Sequence, residues 1–364
     1  MTETAALPAI NDHATASKTG RMPSLDGLRA ISIIMVLLGH LNGTRGFARI
    51  NLGVGDYPHL GVVVFFVISG FLITSLLMNE LEHHGEISLK LFYARRSVRI
   101  FPASYGYLAV VGLLWGLNFL HLNWSDIWHG LTYTMNFAPV RSWQVGHLWS
   151  LSVEEQFYLL WPFAFAALGP RKGGWAAFSV LFIGILARIA NRALLIGTPL
   201  HDLEMFPMVA DSLATGCLLA LLKGRLELQR WYLRLFHPVW SLLLVALVLV
   251  LNRYMAYTAD TVLGTSIINL AVAVLIHRSV YRTHTPMAAF LNWRPVVFVG
   301  TLSYSLYVWQ QLFLNRGSGA WINAFPQNIC FAIAAAMASY FLLEKPFLGL
   351  RHRLRAKAVL SSAT

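Results

Sequence analysis

Apolar residues fall in long stretches that recur along the whole chain, at roughly 28–47, 60–78, 103–120, 147–168, 174–196, 206–222, 237–251, 261–276, 296–314 and 324–343. Each is read as one membrane-crossing helix, which needs about 20 mostly apolar residues. The third, fifth and seventh are ordinary spans, the sixth to eighth are short, and the fourth carries two carboxylates within it. No internal repeat and no long soluble insertion separates them. The pattern therefore predicts one membrane domain at 24–347, a short disordered cytoplasmic tail at 1–23 and a basic cytoplasmic tail at 348–364. No apolar run precedes the first span, so a cleavable signal peptide is not expected.

Composition turns this pattern into a class. Of 364 residues, 57% are hydrophobic and 12% charged, the latter about half the level usual in soluble chains. One water-soluble core cannot hide so many apolar residues, whereas ten helices of about 20 residues use roughly 200 of them. The predicted fold is all-α, a polytopic membrane protein of about ten transmembrane helices. Disordered, fibrous and disulfide-scaffold classes are excluded. The two cysteines, Cys217 and Cys330, stand in apolar stretches without a Cys-X-X-Cys spacing and are read as small buried hydrophobes rather than as a disulfide or metal pair.

The net charge of +12 raises nucleic acid as a partner, but the distribution of charge assigns it to the bilayer instead. With the N-terminus inside, 20 of the 28 Lys and Arg fall in inner segments, five (Arg45, Arg49, Arg141, Arg253, Arg316) in outer ones and three (Arg29, Arg188, Arg192) within spans. Cytoplasmic loops carry such an excess. Both termini are thereby expected in the cytoplasm, in a plasma (inner) membrane.

Ionisable groups within spans are costly and mark candidate sites. Arg29 and His40 are eleven residues apart, on nearly one helical face and about 16 Å apart along the axis. A neutral imidazole at His40 suits general-base work near pH 7. In the fourth span Ser150 and Glu154 are neighbours at i and i+4. Counted from the outer ends of their spans, Glu154 and His40 fall at one depth, roughly 10 Å in, so a carboxylate orienting the histidine is expected. The competing reading pairs Glu154 or Glu155 with Arg188 or Arg192. Arg188, Asn191, Arg192, Asp211, Tyr304, Tyr307, Gln310 and Gln311 line an outward cavity or knit helices together, and the sequence leaves both open.

Arg95, Arg96 and Arg99 cluster after the second span. Closely spaced guanidinium groups suit phosphate, while topology or lipid headgroups explain them equally well. His83 and His84 nearby belong to a solvated loop, and no metal site is expected. The segment 121–146, with Trp124, Trp128 and Trp143, is read first as interfacial anchoring and second as a platform for sugar rings.

Four segments in order resemble the acyltransferase-3 family of integral membrane acyltransferases. They are Leu25-Asp26-Gly27-Leu28-Arg29 with His40 at an Arg-X10-His spacing, Phe65 to Ile73 (FFVISGFLI), Arg95-Arg96-X2-Arg99-Ile100-X-Pro102, and Trp149 to Tyr158 (WSLSVEEQFY). Leu302 to Tyr307 (LSYSLY) and Glu344-Lys345-Pro346 match more weakly. The resemblance covers residues 24 to 347 and implies transfer of an acyl group, commonly acetyl, from acyl-coenzyme A to a hydroxyl of a sugar or other cell-surface or exported acceptor. Acyl-coenzyme A is then a substrate, not a bound cofactor. The resemblance assigns catalysis to His40, with Ser150 and Glu154 as the Ser-X3-Glu motif, and donor contacts to Arg29, Arg95, Arg96 and Arg99. Some family members carry a further hydrolase-like domain after the membrane region, and this chain, ending about 20 residues after its last span, is expected to be a stand-alone version. A transporter using the same charges as a relay is the alternative, and it calls for inverted repeats or broken spans in matching halves, which the sequence lacks.

Overall fold

The computed structural model describes residues 22–49, 53, 55–198, 203–258 and 262–349. Nearly all of both predicted tails, with Lys18, Arg21, Arg351, Arg353, Arg355 and Lys357, lies outside the described residues. The chain runs through α1 (Pro23–Leu41), α2 (Tyr57–His84), α3 (Leu89–Gly116), α4 (Trp124–Leu131), α5 (Trp143–Gly146), α6 (Leu148–Leu194), α7 (Phe206–Leu226), α8 (Arg230–Arg234), α9 (Pro238–Thr258), α10 (Gly264–Tyr281), α11 (Pro286–Leu291), α12 (Arg294–Phe313) and α13 (Gln327–Ser339).

Local chemistry sets the ends that matter for the site. α1 opens on Pro23, whose missing N–H costs nothing in a first turn. It closes at Leu41, where the Asn42 N–H bonds Leu38 O at 2.9 Å and the Thr44 hydroxyl donates to Leu41 O at 2.8 Å. Gly43 follows with φ +84°, a conformation that favours glycine. α2 is capped by Asp56, whose carboxylate accepts from the His59 N–H at 3.0 Å.

Eight helical segments among the described residues are long and apolar enough to cross a membrane. One of them, Trp143–Leu194, covers both the fourth and the fifth predicted spans, broken where Gly169 leaves helical geometry (φ 70°, ψ 177°) ahead of Pro170. Proline cannot donate the next helical bond and disfavours helical geometry in the residue before it. The ninth predicted span is α12, long enough but made too polar by its tyrosines and glutamines to rank with the eight. The protein is multi-pass and helical, as the apolar pattern predicts.

Small residues set the spacing between helices. A Cβ on Gly70 would lie 1.9 Å from Leu213 O, and one on Gly216 would lie 2.1 Å from Val67 O, so α2 and α7 touch backbone to backbone. A Cβ on Gly300 would meet Asp26 O at 1.8 Å, which brings α12 equally close to α1. Glycine at helix contacts is how membrane helices gain dispersion contact where no hydrophobic force separates protein from lipid. Two buried clusters result. One joins α1, α2, α3, α6 and α12 through Ile33, Phe66, Tyr107, Leu148 and Leu306. The other joins α2, α7, α9 and α10 through Phe71, Leu219, Val248 and Val272. Outside them, Leu159, Phe163, Leu242 and Val250 are exposed, a surface suited to lipid. Cys217 is buried, but Cys330 is exposed, which corrects the expectation of two buried thiols.

Candidate active site

Five helices surround a cavity of about 80 Å³, open at one mouth, inside the first cluster. α1 contributes Arg29, α2 contributes Phe66 and Ser69, α3 contributes Arg96 and Arg99, α6 contributes Ser150, Glu154 and Tyr158, and α12 contributes Tyr304 and Tyr307. The spacing explains the convergence. Ser150, Glu154 and Tyr158 recur every four residues, and Arg96 and Arg99 are three apart, so each set occupies one helical face.

Electrostatics divide this cavity unevenly. Glu154 Oε1 accepts from Ser69 Oγ at 2.6 Å, and its charge is felt by Arg29, Arg96 and Arg99. Arg29 reaches Asp26 only at 3.6 Å. Arg96 lies over the Phe92 and Tyr158 rings at 5.6 and 5.3 Å, a cation–π clamp that orients its guanidinium. Three guanidinium groups thus face Glu154 around open space, with Asp26, Glu155 and Glu344 as further carboxylates near Arg29, Arg96 and Arg99. Guanidinium groups bordering a cavity suit a ligand with anionic oxygens. Arg95 is turned away. It pairs with Glu80 Oε2 at 2.8 Å, while Glu80 Oε1 accepts from the Ser88 N–H at 3.0 Å.

His40 stands nearer the end of its helix than a span over 28–47 implies. α1 stops at Leu41, so His40 stands one residue from its helix end rather than seven, whereas Glu154 sits six residues inside α6. No described hydrogen bond or ion pair joins them. The partner of His40 is α12: Nδ1 faces Gln310 Oε1 at 2.8 Å and Nε2 lies 3.4 Å from Gln311 Nε2. A carbonyl oxygen only accepts, so this arrangement puts the proton on Nδ1 and the lone pair on Nε2. Trp143 packs edge-on at 5.5 Å and donates its indole N–H to Gln311 O at 3.0 Å.

α12 links this histidine back to the cavity. Gln311 Oε1 lies 2.9 Å from His147 Nδ1, and His147 Nε2 faces Val308 O at 3.0 Å. The Tyr307 hydroxyl donates to His147 O at 2.8 Å, which leaves Ser150 as the donor in its 2.5 Å contact with Tyr307. The polar string therefore runs His40, Gln311, His147, Tyr307, Ser150. Sequence reasoning placed Tyr307, Gln310 and Gln311 at the outer level without deciding their use. It passed over His147 and Ser69, the latter a lone hydroxyl in an apolar run.

Two other buried groups were candidates for the same space. Glu155 Oε1 is buried without a hydrogen-bond partner, in the field of Glu154 and Arg96. Arg188 and Asp211 form a bidentate pair at 3.1 and 2.9 Å. Ser266, Met208 O and Val262 O complete it. That network joins α6, α7 and α10 and settles the open choice for this pair: it packs helices. Among the described residues no three His, Cys, Asp or Glu side chains gather as a metal site.

Fold and site together define a class: a multi-pass helical membrane protein with a polar cavity inside its bundle, rich in arginine, joined through one helix to a histidine near a helix end. The chain matches the family described as acyltransferase domain (Acyl_transf_3) over residues 22–344, and it belongs to that family. It is 30% identical over 361 residues to the Bacillus subtilis protein named "Putative peptidoglycan O-acetyltransferase YrhL", covering 89% of this chain and 54% of that one. It is 29% identical over 364 residues to "Putative O-acetyltransferase SAS0844" of Staphylococcus aureus, covering 90% and 57%. To the peptidoglycan O-acetyltransferase OatA of Listeria monocytogenes it is 27% identical over 353 residues, covering 90% and 54%. The chain spans about half the length of these curated relatives. No solved structure matches it.

Proposed function

We propose that the chain is an integral membrane O-acyltransferase that carries an acetyl group from acyl-coenzyme A to a sugar hydroxyl of a cell-surface polymer. The single observation that carries this reading is the cavity with Arg29, Arg96 and Arg99, connected through α12 to His40. The names of the relatives support acetyl as the group and a peptidoglycan sugar as the acceptor. The excess of Lys and Arg in alternate loops supports cytoplasmic termini, with the Arg96 and Arg99 end facing the cytoplasm, where acyl-coenzyme A is made.

In this reading the phosphates of the donor sit against the guanidinium groups and the pantetheine arm extends along the cavity toward α12. His40 Nε2 takes the proton of the acceptor hydroxyl, whose oxygen attacks the thioester carbonyl. The tetrahedral intermediate collapses with cleavage of the C–S bond, and the coenzyme A thiolate leaves and takes up the proton held by His40. Gln310, bonded to Nδ1, performs the orienting role that the sequence assigned to Glu154, while Glu154 balances the arginines in the cavity. Ser150 lines the cavity wall, where its hydroxyl, turned from Tyr307 onto the substrate, steadies the oxyanion.

The test is hydrolysis or exchange of radiolabelled acetyl-coenzyme A by purified wild type, His40→Ala and Arg99→Gln. Turnover is expected from wild type, loss of turnover with retained coenzyme A binding from His40→Ala, and weakened binding from Arg99→Gln. Full turnover by His40→Ala, or no coenzyme A binding by wild type, overturns the reading.

A further inference from the structure

The five arginines in the predicted outer segments are not equivalent. Arg141 is neutralised by Glu204 at 2.6 Å, and Arg253 donates to Gly53 O at 2.7 Å on a separate loop. Arg45, Arg49 and Arg316 instead surround the end of α1 that carries His40. Arg316 Nη2 donates to Gly39 O at 2.5 Å, the residue before His40. Arg45 Nη1 donates to Gly319 O at 2.9 Å, in the loop that holds Arg316. A Cβ on Gly43 would lie 3.5 Å from Arg49 Nε and 3.9 Å from Arg316 Cδ, so these two side chains flank one bare stretch of backbone.

Three features set this rim apart from ordinary surface charge. All three side chains are exposed, and among the described residues none has a carboxylate within salt-bridge distance. Asp56, whose charge also reaches His40, is engaged in capping α2. Each guanidinium carries five donors, and the described bonds use one on Arg45 and one on Arg316. The loops beneath are held firmly: buried Asn323 donates to Leu312 O and Phe313 O at 3.0 and 2.7 Å, and buried Asn328 donates to Thr44 Oγ1 at 3.1 Å. Arg45 and Arg316, each tied to backbone and among the described residues without an acidic partner, are preorganised for an anion, and Arg49 adds a third charge beside them.

We infer that Arg45, Arg49 and Arg316 bind an anionic group of the acceptor, a phosphate or carboxylate carried close to the hydroxyl that is acetylated. The inference rests on the reading of His40 as the acyl-transfer base, because that reading places the acceptor at this rim. The acceptor class is then an acidic or phosphorylated sugar rather than a neutral one. This division of labour leaves the cavity arginines to the donor and the rim arginines to the acceptor.

The experiment uses the full chain in phosphatidylcholine nanodiscs, with N-acetylglucosamine 1-phosphate and uncharged N-acetylglucosamine as probes. Binding is measured by calorimetry for wild type, Arg49→Gln, Arg49→Gln/Arg316→Gln and His40→Ala. Wild type and His40→Ala are expected to bind the phosphorylated sugar at least about ten-fold more tightly than the neutral one, and the double variant to lose that ratio. Arg49 makes no described intramolecular bond, so Arg49→Gln removes charge without unclipping a loop, and it alone is expected to lower the ratio. Equal binding of the two sugars by wild type, or an unchanged ratio in both variants, overturns the inference. In a parallel set of nanodiscs containing phosphatidylglycerol, variants that lose retention of that lipid but keep binding of the sugar phosphate also overturn it, making the rim a lipid headgroup site. Transfer that does not depend on His40 overturns the proposed function while leaving the sugar-phosphate result to stand.

Discussion

Two buried ionic networks in this bundle use the same side chains to opposite ends. Around Arg188 every donor is satisfied: five described bonds run to Asp211, Ser266, Met208 O and Val262 O, and Asp211 accepts from both Arg188 and Ser266. Around Glu154, which accepts from Ser69, three arginines and the carboxylates Asp26, Glu155 and Glu344 gather beside a cavity of about 80 Å³. A buried charge persists only when paired or solvated. The closed network therefore reads as structure, and the open one as a place kept for an anionic ligand.

Variants that break the closed network should act on stability. Asp211→Ala leaves Arg188 charged and unpaired between α6, α7 and α10, with an expected cost of about 3–5 kcal/mol, read as a fall in the thermal midpoint of the detergent-solubilised protein. Replacing both partners by apolar residues, as in Arg188→Met/Asp211→Leu, should cost clearly less than the single change. Variants at the open network and its histidine should act on turnover instead. His40→Ala is expected to lower kcat by about 10²–10⁴ with the thermal midpoint unmoved. Arg99→Gln should raise KM for acetyl-coenzyme A about ten-fold and leave kcat near wild type.

Smaller effects sharpen the contrast. Gln310→Ala frees the His40 ring and should lower kcat about ten-fold, whereas Gln310→Glu retains an acceptor for Nδ1 and should recover part of that loss. Arg95→Ala removes a partly exposed pair with Glu80, worth under about 1 kcal/mol, and should leave KM for the donor unchanged. An effect of Arg95→Ala as large as that of Arg99→Gln would erase the distinction between the paired and the unpaired arginine.

Much of this is legible in the amino-acid sequence. The apolar stretches locate the helices, including the break between the fourth and fifth spans, for which the structure supplies Gly169 and Pro170 as the cause. Arg29, Arg96, Arg99, Ser150 and Glu154 were all singled out, and four of those five positions follow from helical spacing alone. The errors have physical sources. The first span was carried to residue 47 because Leu41 to Phe47 offers no charged residue before Arg45, yet the Thr44 hydroxyl and the left-handed Gly43 end the helix at Leu41. That difference of six residues leaves His40 one residue from the end of its helix, and no described hydrogen bond or ion pair joins it to Glu154. His147 and Ser69 were missed because one polar residue in an apolar helix has no periodicity to announce it.

What the sequence determined by itself is what depends on composition and on local spacing: a helical multi-pass chain, the family it belongs to, and which residues share a helical face. Partition into a bilayer needs only apolar length, and a face needs only 3.6 residues per turn. Which faces meet was decided by the tertiary structure alone. Gly70 against Leu213, Gly216 against Val67 and Gly300 against Asp26 set how closely helices approach, and that approach gives His40 to Gln310 rather than to Glu154. It likewise gives Arg188 to Asp211 and Arg95 to Glu80. A hydrogen bond reaches about 3 Å, and no one-dimensional pattern fixes the register of two helices to that distance.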